Sequence, residues 1–340
     1  MKFLIAGLGS IGRRHFRNLI ALGEQDIVLL RSHHATLPDD ELAGYPIETN
    51  ITEALNKHEP DAAIIANPTS LHLDVAIPAT EAGCHILLEK PVSNSVQRLD
   101  VLQNAAQKSG SRILVGFQFR YHPTLNKARE LIRHGALGRV LTVHAHWGEY
   151  LPQWHPWEDY RQSYSARADL GGGVILTLMH PLDYLRYLIG EVGSLWSFNG
   201  RASPLEVDVE DTAEIGLMFK NGAIGGIHLN YFQRPPVHRL EIAGTEGTLR
   251  WDNADGVLHF HKMQMPFGSY SDAPPAPMIE TFSPAGGFER NQLFIAQTRH
   301  FIEIIRGQAE PVCNLNDGIQ ALKMALAAYE SQKIGSMVNL

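Results

Sequence analysis

Two observations place this chain in the α/β class. Its first 120 residues alternate short, wholly apolar runs with helical stretches. From about residue 194 the pattern changes to longer alternating strands joined by hairpin turns. Continuous apolar strands between helices mark a parallel sheet covered on both faces, whereas alternating strands with tight turns mark an antiparallel sheet with one open face. A length of 340 residues fits about two domains. The expectation is a doubly wound parallel sheet over residues 1–119. An α+β domain with a large, mostly antiparallel open sheet follows over 120–340, its C-terminal helix packing back on the first domain.

The elements follow in order. Phe3–Ala6 is apolar, and Gly7-Leu8-Gly9-Ser10-Ile11-Gly12 turns it into a helix from Ile11 to about Leu22, with Gly23 at its C-terminal cap. Asp26–Leu30, Ala62–Ala66, His85–Leu88 and Arg112–Val115 read as further strands. Thr52–His58, His72–Ala82 and Ser95–Lys108 read as helices, the last capped by Ser93 or Asn94. A helix over Pro123–His134 leads to a strand, Val140–Trp147. Gly171-Gly172-Gly173 then opens a helix through about Ile189. Hairpins follow, at Ala213–Phe219 with Ala223–Tyr231 and at Arg239–Ala243 with Thr248–Trp251. Met263–Phe288, rich in Pro, Ser and Gly, reads as a loop. Asn291–Arg306 and Asp317–Gln332 are the closing helices.

Composition excludes several classes. Hydrophobic residues are 44% and charged residues 19%, too apolar for intrinsic disorder. A net charge of −7 argues against a nucleic-acid-binding surface. Two cysteines, Cys84 and Cys313, make neither a disulfide framework nor a cysteine zinc site, and the histidines show no metal-ligand spacing. The opening apolar run stops within a few residues, and no stretch is long enough to span a membrane. The chain therefore reads as cytoplasmic, without membrane, nucleic-acid or metal partners.

Gly7-x-Gly9-x-x-Gly12 gives each glycine a separate task. The first permits the strand-to-helix turn, the second lets backbone approach a pyrophosphate, and the third lets helix and strand pack closely. Such a motif following a strand and opening a helix predicts a nicotinamide-type dinucleotide site. At the end of the second strand, where an acid would take the ribose hydroxyls of NAD, stand Arg31-Ser32, nineteen and twenty residues after Gly12. A guanidinium and a hydroxyl suit a 2′-phosphate, with Arg13 assisting, so NADP is expected over NAD.

With Asn67-Pro68-Thr69-Ser70-Leu71-His72 and Glu89-Lys90-Pro91 added, the chain resembles the Gfo/Idh/MocA oxidoreductases. The resemblance runs through Gly116-Phe117-Gln118-Phe119-Arg120, Leu170-Gly171-Gly172-Gly173, His180-Pro181-Leu182-Asp183, Val209-Glu210-Asp211-Thr212 and Gly244-Thr245-Glu246-Gly247. It implies a Rossmann domain and hydride transfer between NAD(P) and a hydroxyl or carbonyl carbon of a sugar, polyol or nucleotide sugar. It also implies a homodimer or homotetramer built through the open sheet. The implied cofactor site takes Gly7, Leu8, Gly9, Ser10, Ile11 and Gly12 from the turn, and Arg31 and Ser32 from the second strand end. Ala66, Asn67, Pro68 and His72 follow the third strand, and Glu89 and Lys90 follow the fourth.

Lys90 matches the family's lysine, whose ammonium hydrogen-bonds the reacting oxygen, and His180 matches its proton-transferring histidine. Asp183, one turn on, would orient the imidazole or bind a hydroxyl, and Arg120 would face the cleft. One departure matters: where many members carry an Asp four residues before the histidine, this chain has Leu176. A catalytically silent dinucleotide-binding sensor or scaffold is therefore the rival reading. Between Trp147 and the glycine run, Trp154, Trp157, Tyr160 and Tyr164 interleave with His155, Glu158, Asp159, Arg161 and Arg167. Aromatic faces beside charged groups suit a carbohydrate, and Trp154, Tyr160, Tyr164 and Arg167 are the expected substrate contacts.

Overall fold

The computed structural model describes residues 1–32, 37–273 and 275–340. The chain divides into two compact units: Met1–Gln118 with His155–Gly172 and Glu289–Leu322, and Phe119–Trp154 with Gly173–Phe288 and Lys323–Leu340.

The first unit holds β1 (Phe3–Ala6), α1 (Ser10–Ala21), β2 (Ile27–Leu30), β3 (Ile47–Glu48), α2 (Ile51–His58), β4 (Ala62–Ile65), α3 (His72–Glu81), β5 (His85–Leu88), α4 (Leu99–Ser109) and β6 (Ile113–Val115). The six strands pair in parallel, in the order β3-β2-β1-β4-β5-β6. β1, β2 and β4 are buried at every position, as continuous apolar runs require. This is the Rossmann order, whose ligands sit beyond the carboxyl ends of the strands. α8 (Asn291–Ile305) lies against α1, with Asn291 Nδ2 donating to Asn18 Oδ1 at 3.0 Å.

The second unit holds α5 (Pro123–Arg133), β7 (Val140–Tyr150), α6 (Val174–Thr177), α7 (His180–Ile189), β8 (Val192–Gly200), β9 (Thr212–Phe219), β10 (Ile224–Asn230), β11 (Phe232–Gly244), β12 (Gly247–Asp252), β13 (Val257–Lys262), β14 (Met278–Phe282) and β15 (Val338–Asn339). α9 (Leu315–Ile334) starts in the first unit and ends in the second. The nine strands run β14-β13-β12-β11-β7-β10-β9-β8-β15, antiparallel except for β7 beside β10. Period-two alternation is clean in β9, where Ala213, Ile215, Leu217 and Phe219 are buried and Glu214 and Met218 face out.

Three expectations are corrected. α4 begins at Leu99 rather than Ser95, and Arg98, in the left-handed region, precedes it. Ser93 and Asn94 do not cap it: the Ser93 hydroxyl accepts from Ser95 N, a local bond that competes with helix. The helix expected from the glycine run to Ile189 is two helices. Pro181 lacks an N–H and would clash with the carbonyl of Thr177, so α6 stops there and α7 restarts with its proline in the first turn. The Met263–Phe288 loop contains β14, an edge strand exposed at nearly every position, so no buried–exposed alternation marks it among the surrounding Pro, Ser and Gly.

Candidate functional site

The glycine turn fits a pyrophosphate. Gly7 has φ +88°, and a Cβ there would lie 2.4 Å from the Asn67 nitrogen. A Cβ on Gly12 would lie 1.8 Å from the Gly7 oxygen, whereas one on Gly9 would meet nothing within 4 Å. The cradle is thus closed behind and open in front. Gly9 is the N-cap of α1, whose first turn has no acid and no side-chain cap, so the N-terminal amides of Ser10 and Ile11 are available to an anion. Leu8 is buried and its carbonyl accepts from Arg13 Nε at 3.1 Å.

Arg13 is not free to assist at a phosphate. Its buried guanidinium also donates to the Pro38 and Leu37 carbonyls and to Glu41 and Asp39. Arg31, also buried, reaches Asp39 at 2.8 Å, and Ser32 beside it is exposed.

Lys90 follows β5 in a turn braced by two buried histidines. On one flank, His15 Nε2 lies 2.8 Å from Glu89 Oε1. Burial works to raise the Glu89 carboxyl, but the His15 bond and the His15 and Lys90 charges outweigh it and hold the group below its ordinary value. The Glu89 carboxylate also fills the space above Gly116, where a Cβ would be 2.9 Å away. On the other flank, His72 lies 2.8 Å from the Pro91 carbonyl and 3.0 Å from that of Asn67. It thereby ties the turn after β4, which carries Ala66, Asn67 and Pro68, to the Lys90 turn. Burial lowers the His72 imidazole.

In the second unit, His180 is the first residue of α7 and is buried. Its ring meets Phe119 edge-on at 5.1 Å and stacks on Trp147 at 5.4 Å. The other side of this aromatic group is His238, 4.1 Å from Trp147 and nearly parallel to it. Asp183 and Arg120 find each other: the guanidinium reaches both carboxylate oxygens, at 2.6 and 3.0 Å, in a buried pair. Arg120 also sits 4.8 Å over the Tyr187 ring.

The aromatic segment is a chain of short 3₁₀ turns. Trp154 packs edge-on against Tyr231 at 5.5 Å, with its indole nitrogen buried and unbonded. Trp157 is half-exposed, 5.1 Å from His155. Tyr160 opens a turn capped by Asp159, which also pairs with Arg161. Arg167 pairs with Asp169 at 2.6 Å. The Tyr164 hydroxyl is pushed up by burial.

The NAD-binding Rossmann-fold model of the oxidoreductase family matches residues 1–117, and the GFO/IDH/MocA C-terminal domain model matches residues 125–250. The chain belongs to the Gfo/Idh/MocA oxidoreductase family. It is 28% identical over 351 residues to an uncharacterized oxidoreductase, YrbE, of Bacillus subtilis, covering 99% of this chain and 95% of that one. It is 23% identical over 345 residues to a D-xylose 1-dehydrogenase (NADP(+)) of Haloferax volcanii, covering both chains completely. The structure of a levoglucosan dehydrogenase with NADH and levoglucosan superposes with a TM-score of 0.84 at 22% identity, over 100% of this chain and 99% of the other. This last likeness is one of fold.

Seen as a Gfo/Idh/MocA protein, the chain carries a feature that sequence reading missed. Leu176 is buried in α6, and the neighbouring Ile175 N–H donates to Glu210 Oε1 at 3.0 Å. Tyr329 donates to the same oxygen at 2.7 Å. Gly173 lacks a side chain because Glu210 fills the place, 2.4 Å from where a Cβ would stand. Burial raises the Glu210 carboxyl above its ordinary value. In the sequence, Glu210 was visible only as part of Val209-Glu210-Asp211-Thr212. Its partner Tyr329 lies 119 residues away, beyond any local signal.

Proposed function

We propose that this chain moves a hydride between a nicotinamide dinucleotide and a carbon of a sugar, polyol or nucleotide sugar that bears a hydroxyl or carbonyl. The observation that carries this reading is the glycine cradle together with the braced Lys90 turn, on two carboxyl-terminal strand ends of one parallel sheet. When bound, the dinucleotide supplies the hydride acceptor or donor. Lys90 hydrogen-bonds the reacting oxygen and stabilises the charge that develops there, and His180 takes or returns its proton. The D-xylose dehydrogenase among the sequence relatives supports a carbohydrate-type substrate. NADP is the preferred cofactor, on the strength of Arg31.

Lys90→Ala is the test. Across a panel of levoglucosan, D-xylose and scyllo-inositol, turnover should fall about 10²–10³-fold with NADPH affinity unchanged. Unchanged turnover would remove Lys90 from the chemistry. A second reading, a silent dinucleotide sensor, is favoured by one observation: the family's usual acid is replaced by Leu176, whose surroundings are closed by the Glu210–Tyr329 pair. Tight dinucleotide binding without turnover of any polyol would select it.

A further inference from the structure

Arg31 and Asp39 form a pair whose two halves differ sharply in exposure. The Arg31 side chain is 5% exposed and that of Asp39 is 56% exposed, with 2.8 Å between Nη1 and Oδ1. The Arg31 guanidinium beside it holds the Asp39 carboxyl below its ordinary value, so Asp39 is an anion at neutral pH.

The two arginines that meet Asp39 do not depend on it equally. Without Asp39, Arg13 keeps the Leu8, Leu37 and Pro38 carbonyls and Glu41. Glu41 is itself fixed by Arg17 at 2.6 and 2.8 Å. Arg31 has Asp39 as its one acidic partner among the described residues, and its Nε is buried without a hydrogen-bond partner. A buried guanidinium that met no anion would carry an uncompensated charge. The arrangement is a buried cation whose carboxylate counterion is itself more than half exposed to water.

We propose that Asp39 is an internal counterion of Arg31 that is displaced by the 2′-phosphate of NADP, and so sets the balance between NADP and NAD. A dianionic phosphate and a carboxylate that press on one guanidinium repel, which favours departure of the more exposed anion. Asp39 is the exposed one, held besides by Arg13 at 2.9 Å, a contact that Arg13 can lose while keeping its other partners. NAD brings no charge to Arg31 and leaves the pair closed. The inference rests on the dinucleotide reading above and adds the residue that tunes it.

Titrations of the full chain with NADPH, NADH, adenosine 2′,5′-bisphosphate and AMP test it, read by tryptophan fluorescence and calorimetry. Asp39→Asn should bind NADPH and adenosine 2′,5′-bisphosphate about fivefold more tightly or better, with NADH and AMP within about twofold of the native chain. The gain should vanish when Arg31→Ala is added. Asp39→Ser, with melting checked by circular dichroism, repeats the measurement should the asparagine disturb the fold. Weaker NADH and AMP binding in Asp39→Asn, with no gain for NADPH, would make Asp39 a ribose ligand and overturn the proposal. Equal affinities in native and variant chains would overturn it too. A native chain that binds none of the four would remove the dinucleotide reading itself, and the proposal with it.

Discussion

At the scale of single residues, the polar groups that looked available are mostly held by distant partners. Asp183 is met by Arg120, 63 positions earlier, and Glu89 by His15, 74 positions earlier. A buried charge left alone is penalised by several kcal/mol, so such pairs are set by the fold and invisible to local sequence. His122 shows the same physics in a group that titrates. It is buried between Trp251, Phe119 and Phe288, with Nδ1 near Thr124 Oγ1 and Nε2 unbonded. Burial pushes its imidazole down from 6.5 to about 4. The folded state favours the neutral ring, so its contribution is intact above pH 6.5 and is lost as pH falls toward 4. A shift of this size corresponds to about 3 kcal/mol at the acid end. His122→Phe should lose that part of the acid destabilisation, measured as urea midpoints at pH 7 and pH 4. Parallel pH profiles for the two proteins would show that the ring does not titrate in this way.

At the scale of elements, the first domain was legible because its strands are buried on both faces and so read as unbroken apolar runs. β1, β4 and β5 stand within a residue of their expected bounds. What was not legible had an opposing local signal: polar residues ahead of α4, Pro181 inside an otherwise helical pattern, and an edge strand among prolines. In the candidate site, the glycine cradle could be read from spacing, while Glu210 and Asp39 needed three dimensions. The cradle also separates fold from function. Gly12→Ala puts a methyl 1.8 Å from the Gly7 oxygen and should lower the melting temperature by several degrees. Gly9 has φ −73°, which alanine adopts freely, and its Cβ would enter open space. Gly9→Ala should therefore melt like the native chain yet bind NADPH at least tenfold more weakly, since the methyl enters the space reserved for phosphate. Equal NADPH affinity in Gly9→Ala would place the pyrophosphate elsewhere.

At the scale of the whole molecule, the nine-stranded sheet presents an exposed face with an apolar strip among the described residues. Trp196 and Phe198 on β8 are 43% and 66% exposed, and Met218 and Ile224 continue the apolar strip. Beside it lies a depression of about 530 Å³ on β7 and β9–β13. Across the strands, Glu241 pairs with Arg250, Asp252 with Arg239, and Glu214 with His228. Both signs are interspersed over this face and paired within it, so it carries no single-sign field that would repel a second copy. The homodimer or homotetramer that the family resemblance implies would place another copy of this chain on this face. The native chain should sediment as a dimer or tetramer at micromolar concentration. Trp196→Glu with Phe198→Glu should yield monomers whose NADPH affinity is unchanged, because the cradle lies in the first unit. The two substitutions sit on already exposed positions, so the monomer should keep its melting temperature to within the part that association itself contributes. A native chain that sediments as a monomer would leave this face to some other partner and end the self-association reading.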